Sequence, residues 1–325
     1  MAIMEENQGP RPMEKLAKIL YTEVNKGEIV IPADKGKGFI KGMRPNEHMG
    51  ILMANYQLYG EIPMQPSLPI FKIPDFSQAR DVPSYLLFQF KNCLSTAGEG
   101  LEEPTVQVST MNIFMENNLL NVHNRADVYI TISSAFLMQQ IPNYRESKLL
   151  EQIMENRQPR FFENCINSKQ VALIREMEKS SDESIFRAYD VANKANELIC
   201  QLLMSLCVRS EKTLYPVHPD DLQNIYKARN RMLSSLHTPP VLAQLAADAG
   251  MSESKFKRLF KQIFGDSVFH YYQLRRMQKA ASLLDTGQYS VTEVGYRMGF
   301  TNLSHFSRQF EAIIGCKPKQ YMKRN

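Results

Sequence analysis

A chain of 325 residues with 43% hydrophobic and 22% charged residues has the make-up of a globular protein large enough for two cores. No apolar run approaches the roughly eighteen residues that span a bilayer, the start Met1–Arg11 lacks the apolar centre of a signal peptide, and five cysteines (93, 165, 200, 207, 316) without a C-x-x-C pair exclude a disulfide framework and a cysteine zinc site. The charge divides unevenly: residues 222–325 hold 16 Lys+Arg against 6 Asp+Glu, whereas residues 1–221 hold 23 against 28, so a polyanion is the expected partner of the last third alone.

In chain order, Leu16, Ala17, Ile19, Leu20 and Val24 predict an amphipathic helix over 12–26, closed by Gly27. Runs rich in β-formers follow at Glu28–Pro32, Gly50–Leu58, Ile70–Ile73, Tyr85–Lys91, Thr105–Ser109 and Asp127–Ser133, separated by Gly, Pro, Asn and Asp clusters. They predict a β-rich domain, a sandwich or small barrel, a shape that either encloses a ligand or is filled by its own side chains. His48 and His123 stand alone, so no metal site is read from them. After Pro142 the pattern turns helical, over 144–156, 168–179 and a long stretch 182–208. In that last stretch Ile185, Tyr189, Ala192, Ile199, Leu202 and Leu206 recur at three- and four-residue steps, with a looser interval near Ala195. The stripe fits a homodimer seam and fits equally well packing onto its own β-domain. Thr213–Pro219, with two prolines, marks a stiff boundary. The expected division is therefore a regulatory domain over 1–212, a linker over 213–221 and a second domain over 222–325. Asp220 is expected to cap a helix over 221–236 that stops before Pro239 and Pro240.

The last third is built on a repeat. Phe256, Phe260, Gly265 and Tyr271 return as Phe306, Phe310, Gly315 and Tyr321, each 50 places later. Upstream, Leu245, Ala249, Gly250 and Ser252 return as Val294, Met298, Gly299 and Thr301 at a step of 49, so one extra residue enters the second copy. Each copy reads as a short helix, a glycine turn and a second helix, over 241–264 and 291–314. Gly250 and Gly299 are expected to make the turns, and Ser252 and Thr301 (or Asn302) to cap the second helices. Removing the apolar stripe of the first unit leaves Ser254, Lys255, Lys257, Arg258 and Lys261 facing out. In the second unit Asn302, Ser304, His305, Ser307 and Arg308 remain. An exposed polar helix held across a tight turn is the geometry that enters a major groove. Between the units a helix over 267–286, roughly 30 Å long at about 1.5 Å per residue, nearly matches the about 34 Å between successive major-groove faces. Gly295 sits inside a helix at a cost of about 1 kcal/mol, for which a close backbone approach is the expected reason.

These residues carry a resemblance. The stretch LAADAGMSESKFKRLFKQIFG, followed by RRMQKAASLLDTGQYSVTEVGYRMGFTNLSHFSRQFEAIIGCKPKQY, is similar to the DNA-binding domain of the AraC/XylS family of bacterial transcription regulators over about residues 222–323. The resemblance implies base-reading side chains at Ser254, Lys257 and Arg258 and at Ser304, Ser307 and Arg308, with His305 beside them. It also implies double-stranded DNA and RNA polymerase as partners, and a cytoplasmic, nucleoid-associated location. Gly295 departs from the family, which usually has alanine there. Tyr85–Leu94 and the segment after Thr105 resemble regulators that respond to ferric siderophores of the pyochelin type, which implies a small-molecule effector of that kind. The expected fold is thus α+β: a β-rich first domain with following helices, then an all-α domain with two helix-turn-helix units.

Three functions are weighed. A ligand-responsive regulator, an activator by family habit, accounts for both domains. An effector-independent architectural or repressing protein accounts for the second alone. An enzyme fused to a DNA-targeting domain is disfavoured, because no P-loop, dinucleotide turn, nucleophile elbow or activated cysteine is present and no catalytic residue, metal or cofactor is read.

Overall fold

The computed structural model describes residues 12–60, 85–94, 104–110, 124–155, 160–180, 184–208 and 214–322. The expected strand Ile70–Ile73, His123 and the segment Met1–Arg11 lie outside them. The chain forms two compact units, Met1–Pro216 and Val217–Asn325.

The described strands of the first unit make one antiparallel sheet in the order β1-β2-β3-β6-β4-β5-β7. These are β1 (Glu28–Val30), β2 (Gly36–Asn46), β3 (Met49–Leu58), β4 (Tyr85–Lys91), β5 (Thr105–Thr110), β6 (Asn124–Ser133) and β7 (Phe161–Cys165). Period-two alternation gives the sheet two different faces. Ile51 and Met53 of β3, Phe88 and Phe90 of β4, Val106 and Val108 of β5 and Val128 and Ile130 of β6 pack on the helical side. There they meet α3 (Lys148–Met154), α4 (Ser168–Lys179) and α5 (Arg187–Cys207). On the other face α1 (Pro12–Leu20) sets Leu16, Ala17 and Leu20 against Leu52, Ala54, Tyr56 and Leu58. The short α2 (Ser134–Gln140) follows β6 directly.

Several expectations are corrected. The first helix ends at Leu20 rather than Lys26, because Tyr21 takes a left-handed φ of 55°; Gly27 (φ 79°) instead turns the chain into β1. Strands β2 and β7 were not expected. The sequence of β2, GKGFIKGMRPN, holds few β-formers and is made a strand by its ladder with β3, from Gly36↔Leu58 to Asn46↔Met49. The Phe161–Cys165 segment falls in the gap between the expected helices 144–156 and 168–179 and pairs with β5 at the sheet edge. The described strands form one sheet, so the two-sheet sandwich among the expected shapes is not made by them. In α5 the buried stripe is Val191, Ala195, Leu198, Ile199, Leu202 and Leu206, packed on the unit's own core. Ile185 and Tyr189, read as part of that stripe, are exposed on the opposite side at 89% and 71%.

The second unit is all helical: α6 (Pro219–Leu233), α7 (Leu242–Asp248), α8 (Glu253–Phe264), α9 (Val268–Asp285), α10 (Val291–Arg297), α11 (Leu303–Ile314) and α12 (Pro318–Met322). Residues 219–221, expected in the linker, are the first turn of α6. His218, not Asp220, caps that helix: its ring nitrogen accepts from the Asp220 N–H at 3.3 Å, and Pro219 takes the first helical position, where no N–H is needed.

Candidate nucleic-acid interface

The repeat in the sequence is a repeat in packing. Phe260 meets Tyr271 edge-on at 5.5 Å in the first copy, and Phe310 meets Tyr321 edge-on at 5.6 Å in the second. Both candidate recognition helices end in a left-handed glycine, Gly265 (φ 81°) and Gly315 (φ 86°). Each copy thus comprises a short helix, a turn, a recognition helix and the start of a third helix. In the first copy that third helix is α9, which runs on to carry the second copy.

The turns differ by the one inserted residue. In the first, Gly250 (φ 65°) leads through Met251 to Ser252, whose hydroxyl accepts from the Lys255 N–H at 3.3 Å. In the second, Gly299 (φ 74°) leads through Phe300 and Thr301 to Asn302, whose Oδ1 accepts from the His305 N–H at 3.0 Å. Asn302, rather than Thr301, is therefore the cap. The signal was in the sequence: Ser252 lies four places before Phe256, and the residue four places before Phe306 is Asn302. Thr301 is the extra residue.

Two further holds fix the second turn. Gly295 lets α10 close on α11, since a Cβ there would stand 2.6 Å from Leu303 Cδ2 and 3.2 Å from Phe306 Cδ1. That is the close approach expected from its placement. From α9, Arg276 is buried and donates from Nε to the Met298 carbonyl at 2.7 Å, while its guanidinium lies 3.8 Å from the centre of the Phe300 ring. Burial pulls its pKa below the ordinary arginine value. Of the basic residues on α9, Arg275 and Arg276 are both buried, Arg276 on a carbonyl and Arg275 against the Tyr271 ring at 5.1 Å. In α6, Arg229 is likewise turned inward, donating to the Tyr271 hydroxyl at 2.9 Å. Lys279 stays exposed.

The predicted contact residues lie on α8 and α11. Ser254, Lys257, Arg258 and Lys261 are exposed on α8; Ser304, His305 and Arg308 are exposed on α11, with Ser307 half-buried. Lys255 is half-buried and its Nζ lies 2.8 Å from Asp221 on α6. Lys257 pairs with Glu253 at 3.5 Å. His305 leans edge-on against the Phe300 ring at 5.6 Å, and its Nε2 is 3.5 Å from the Gln309 amide. Opposite these faces, Phe256, Leu259 and Phe260 of α8 and Phe306 and Phe310 of α11 are buried, which fixes the direction the polar groups point. Among the described residues no group of three His, Cys, Asp or Glu side chains could hold a metal ion, and no helix is long and apolar enough to cross a membrane.

Residues 245–324 match the helix-turn-helix domain family. The chain is 29% identical over 133 residues to the MmsAB operon regulatory protein of Pseudomonas aeruginosa, a match covering 41% of this chain and 40% of that one. It is 27% identical over 127 residues to the arabinose operon regulatory protein of Salmonella typhimurium, covering 39% of this chain and 44% of that one. The chain thus spans less than half the length of these relatives. A transcriptional regulator structure from Chromobacterium violaceum, described as containing an AraC-type DNA-binding domain, aligns with 33% of this chain and 96% of its own at 24% identity and a TM-score of 0.31. The doubled helix-turn-helix over the last third of the chain, its shared capping pattern and the matches to these regulators support an AraC/XylS family transcription regulator.

Proposed function

We propose that the protein is a sequence-specific DNA-binding transcription regulator that sets α8 and α11 into successive major grooves of one duplex face. The observation that carries this is the pair of capped helices, polar on their exposed sides, joined by the single 18-residue helix α9. At about 1.5 Å per residue that helix is about 27 Å long, against about 34 Å for one turn of DNA. Ser254, Lys257, Arg258, Ser304, Ser307 and Arg308 are the residues we assign to the groove, with Arg258 and Arg308 each suited to a guanine edge. Lys255, Lys261, Asn302 and His305 stand beside them. The test is genome-wide mapping of binding sites for the wild-type chain beside Arg258→Ala/Arg308→Ala. Discrete peaks that vanish in the double variant are expected; a diffuse signal unchanged by it would make the binding architectural.

We propose further that the first unit makes the protein ligand-responsive, as an activator working with RNA polymerase. Its effector must favour the DNA-competent arrangement, since equal affinity for both arrangements shifts nothing. A small molecule that alters DNA affinity separates this from effector-independent binding. The outer side of α5 and its flanks exposes Ile185 and Tyr189 toward one end and Cys200, Met204 and Val208 toward the other. A second copy would present the same side, which suits a symmetric pair. Met204→Glu is expected to shift the protein from dimer to monomer in sedimentation; a wild-type monomer would exclude the pairing.

A further inference from the structure

The two candidate recognition helices are one device built with different charge. The α8 sequence ESKFKRLFKQIF carries Lys255, Lys257, Arg258 and Lys261 against Glu253, a net of three positive charges. The α11 sequence LSHFSRQFEAII carries Arg308 against Glu311, a net of zero with His305 neutral. The acidic neighbours of α8 do not cancel its charge: beyond its own Glu253, Asp221 of α6 lies 2.8 Å from Lys255 and offsets one of the three. Lys257 meets Glu253 at 3.5 Å with its side chain 57% exposed, and such exposed pairs are weak enough to give way to phosphate.

Reach differs as well. Lysine stems are long and flexible and find phosphate on any duplex, whereas phosphate contacts carry no sequence information. The outward groups of α11 are mostly short and neutral: Ser304, Ser307 and a His305 propped on Phe300 at 5.6 Å. They touch DNA only where the helix itself fits closely. That helix is set by the Asn302 cap and, one turn back, by Arg276 on the Met298 carbonyl. The arginines that could have charged the second head from α9, Arg275 and Arg276, are buried.

We propose that the lysines of α8 carry the salt-dependent, sequence-tolerant share of DNA affinity and that α11 adds binding that is nearly independent of salt and present only on a matching sequence. This rests on both helices being DNA-reading, and the experiment separates the two ideas. Two probes are used with the full-length chain: a mixed-sequence duplex, and the duplex that wild type enriches from a random pool. Affinity is measured from about 50 to 200 mM salt, where each phosphate contact contributes about 0.9 to the slope of log affinity against log salt.

Lys257→Gln/Lys261→Gln is expected to weaken both probes and to flatten the slope by about 1.8. Arg308→Ala is expected to leave the mixed duplex unchanged and to cost the enriched duplex about tenfold, the value of one good base contact, with a slope change below about 0.9. Lys317→Gln/Lys319→Gln, around α12, is expected to flatten the slope less than half as much as the α8 pair. Thermal melts matching wild type certify that each variant is folded. Equal slope losses from α8 and α11, a dominant loss at Lys317 and Lys319, or an Arg308→Ala defect on both probes would each overturn the division while leaving the regulator reading intact. A wild-type chain that enriches no sequence would remove the regulator reading itself.

Discussion

Gly299→Ala is expected to destabilise the second unit by about 3 kcal/mol, and Gly250→Ala, at the matching place in the repeat, by about 1 kcal/mol. Both glycines have left-handed backbones, at φ 74° and 65°, and alanine pays about 1 kcal/mol or slightly more for that conformation. The surroundings make the difference. A Cβ on Gly250 meets nothing within 4 Å, whereas a Cβ on Gly299 would stand 2.1 Å from the His237 carbonyl oxygen and 2.9 Å from its carbon. These are backbone atoms, so no rotamer change relieves the clash. Forcing atoms into such a packed place costs a further 1–3 kcal/mol or so. The main chain after α6 and the second turn would have to move apart, and with them the Arg276 hold on Met298 and the start of α11. Chemical denaturation followed by circular dichroism, with DNA affinity measured on the same samples, reads both effects. Equal losses for the two substitutions would mean that the His237 contact does not constrain the turn in solution.

The asymmetry between those glycines marks how far the sequence could be read. Their shared role was legible because the 49- and 50-residue steps align the turns, and the rings at 256 and 260 return at 306 and 310. The contact of Gly299 with His237 was not legible, since it joins segments 62 places apart and leaves no local signature. The same holds for Arg276. A basic residue on a connecting helix reads as a surface charge, and only the tertiary structure shows its guanidinium on a carbonyl under Phe300. In the first unit, strands with β-branched and aromatic runs were found, but β2 was missed because its glycines and lysines spell a turn and only the ladder with β3 overrides them. The exposure of the polar side chains on α8 and α11 was more legible than the helix ends, because it follows directly from which residues the apolar stripe leaves over.

Arg125→Met is expected to cost the first unit about 3–5 kcal/mol, the toll of stripping one partner from a buried ion pair. Arg125 and Asp127 are 7% and 2% exposed, and the guanidinium Nη1 lies 2.9 Å from Asp127 Oδ2. That carboxylate also accepts from Gln89 Nε2 at 3.1 Å, from the Tyr129 hydroxyl at 3.2 Å and, through Oδ1, from the Asn92 N–H at 3.1 Å. Burial opposes the charge on Arg125, yet the oxygens of Tyr129, Tyr56 and Asp127 around it more than offset that and hold its pKa above the ordinary value. Burial likewise raises the Tyr129 hydroxyl. Replacing the guanidinium by a thioether leaves Asp127 charged in a closed site with only neutral donors. Replacing both members, in Arg125→Met/Asp127→Leu, removes the stranded charge and is expected to recover most of the loss, since well-packed apolar pairs often match buried ion pairs. Denaturation midpoints for the two singles and the double give the coupling directly; additive effects would show that the pair is not a unit. The network also has a structural consequence beyond its energy. Arg125, Asp127 and Tyr129 alternate along β6 with Ala126, Val128 and Ile130, which face the helical core. A one-residue slip of β6 against β3 would turn both charges into that core, so the pair fixes the register that the apolar residues on both faces would tolerate losing.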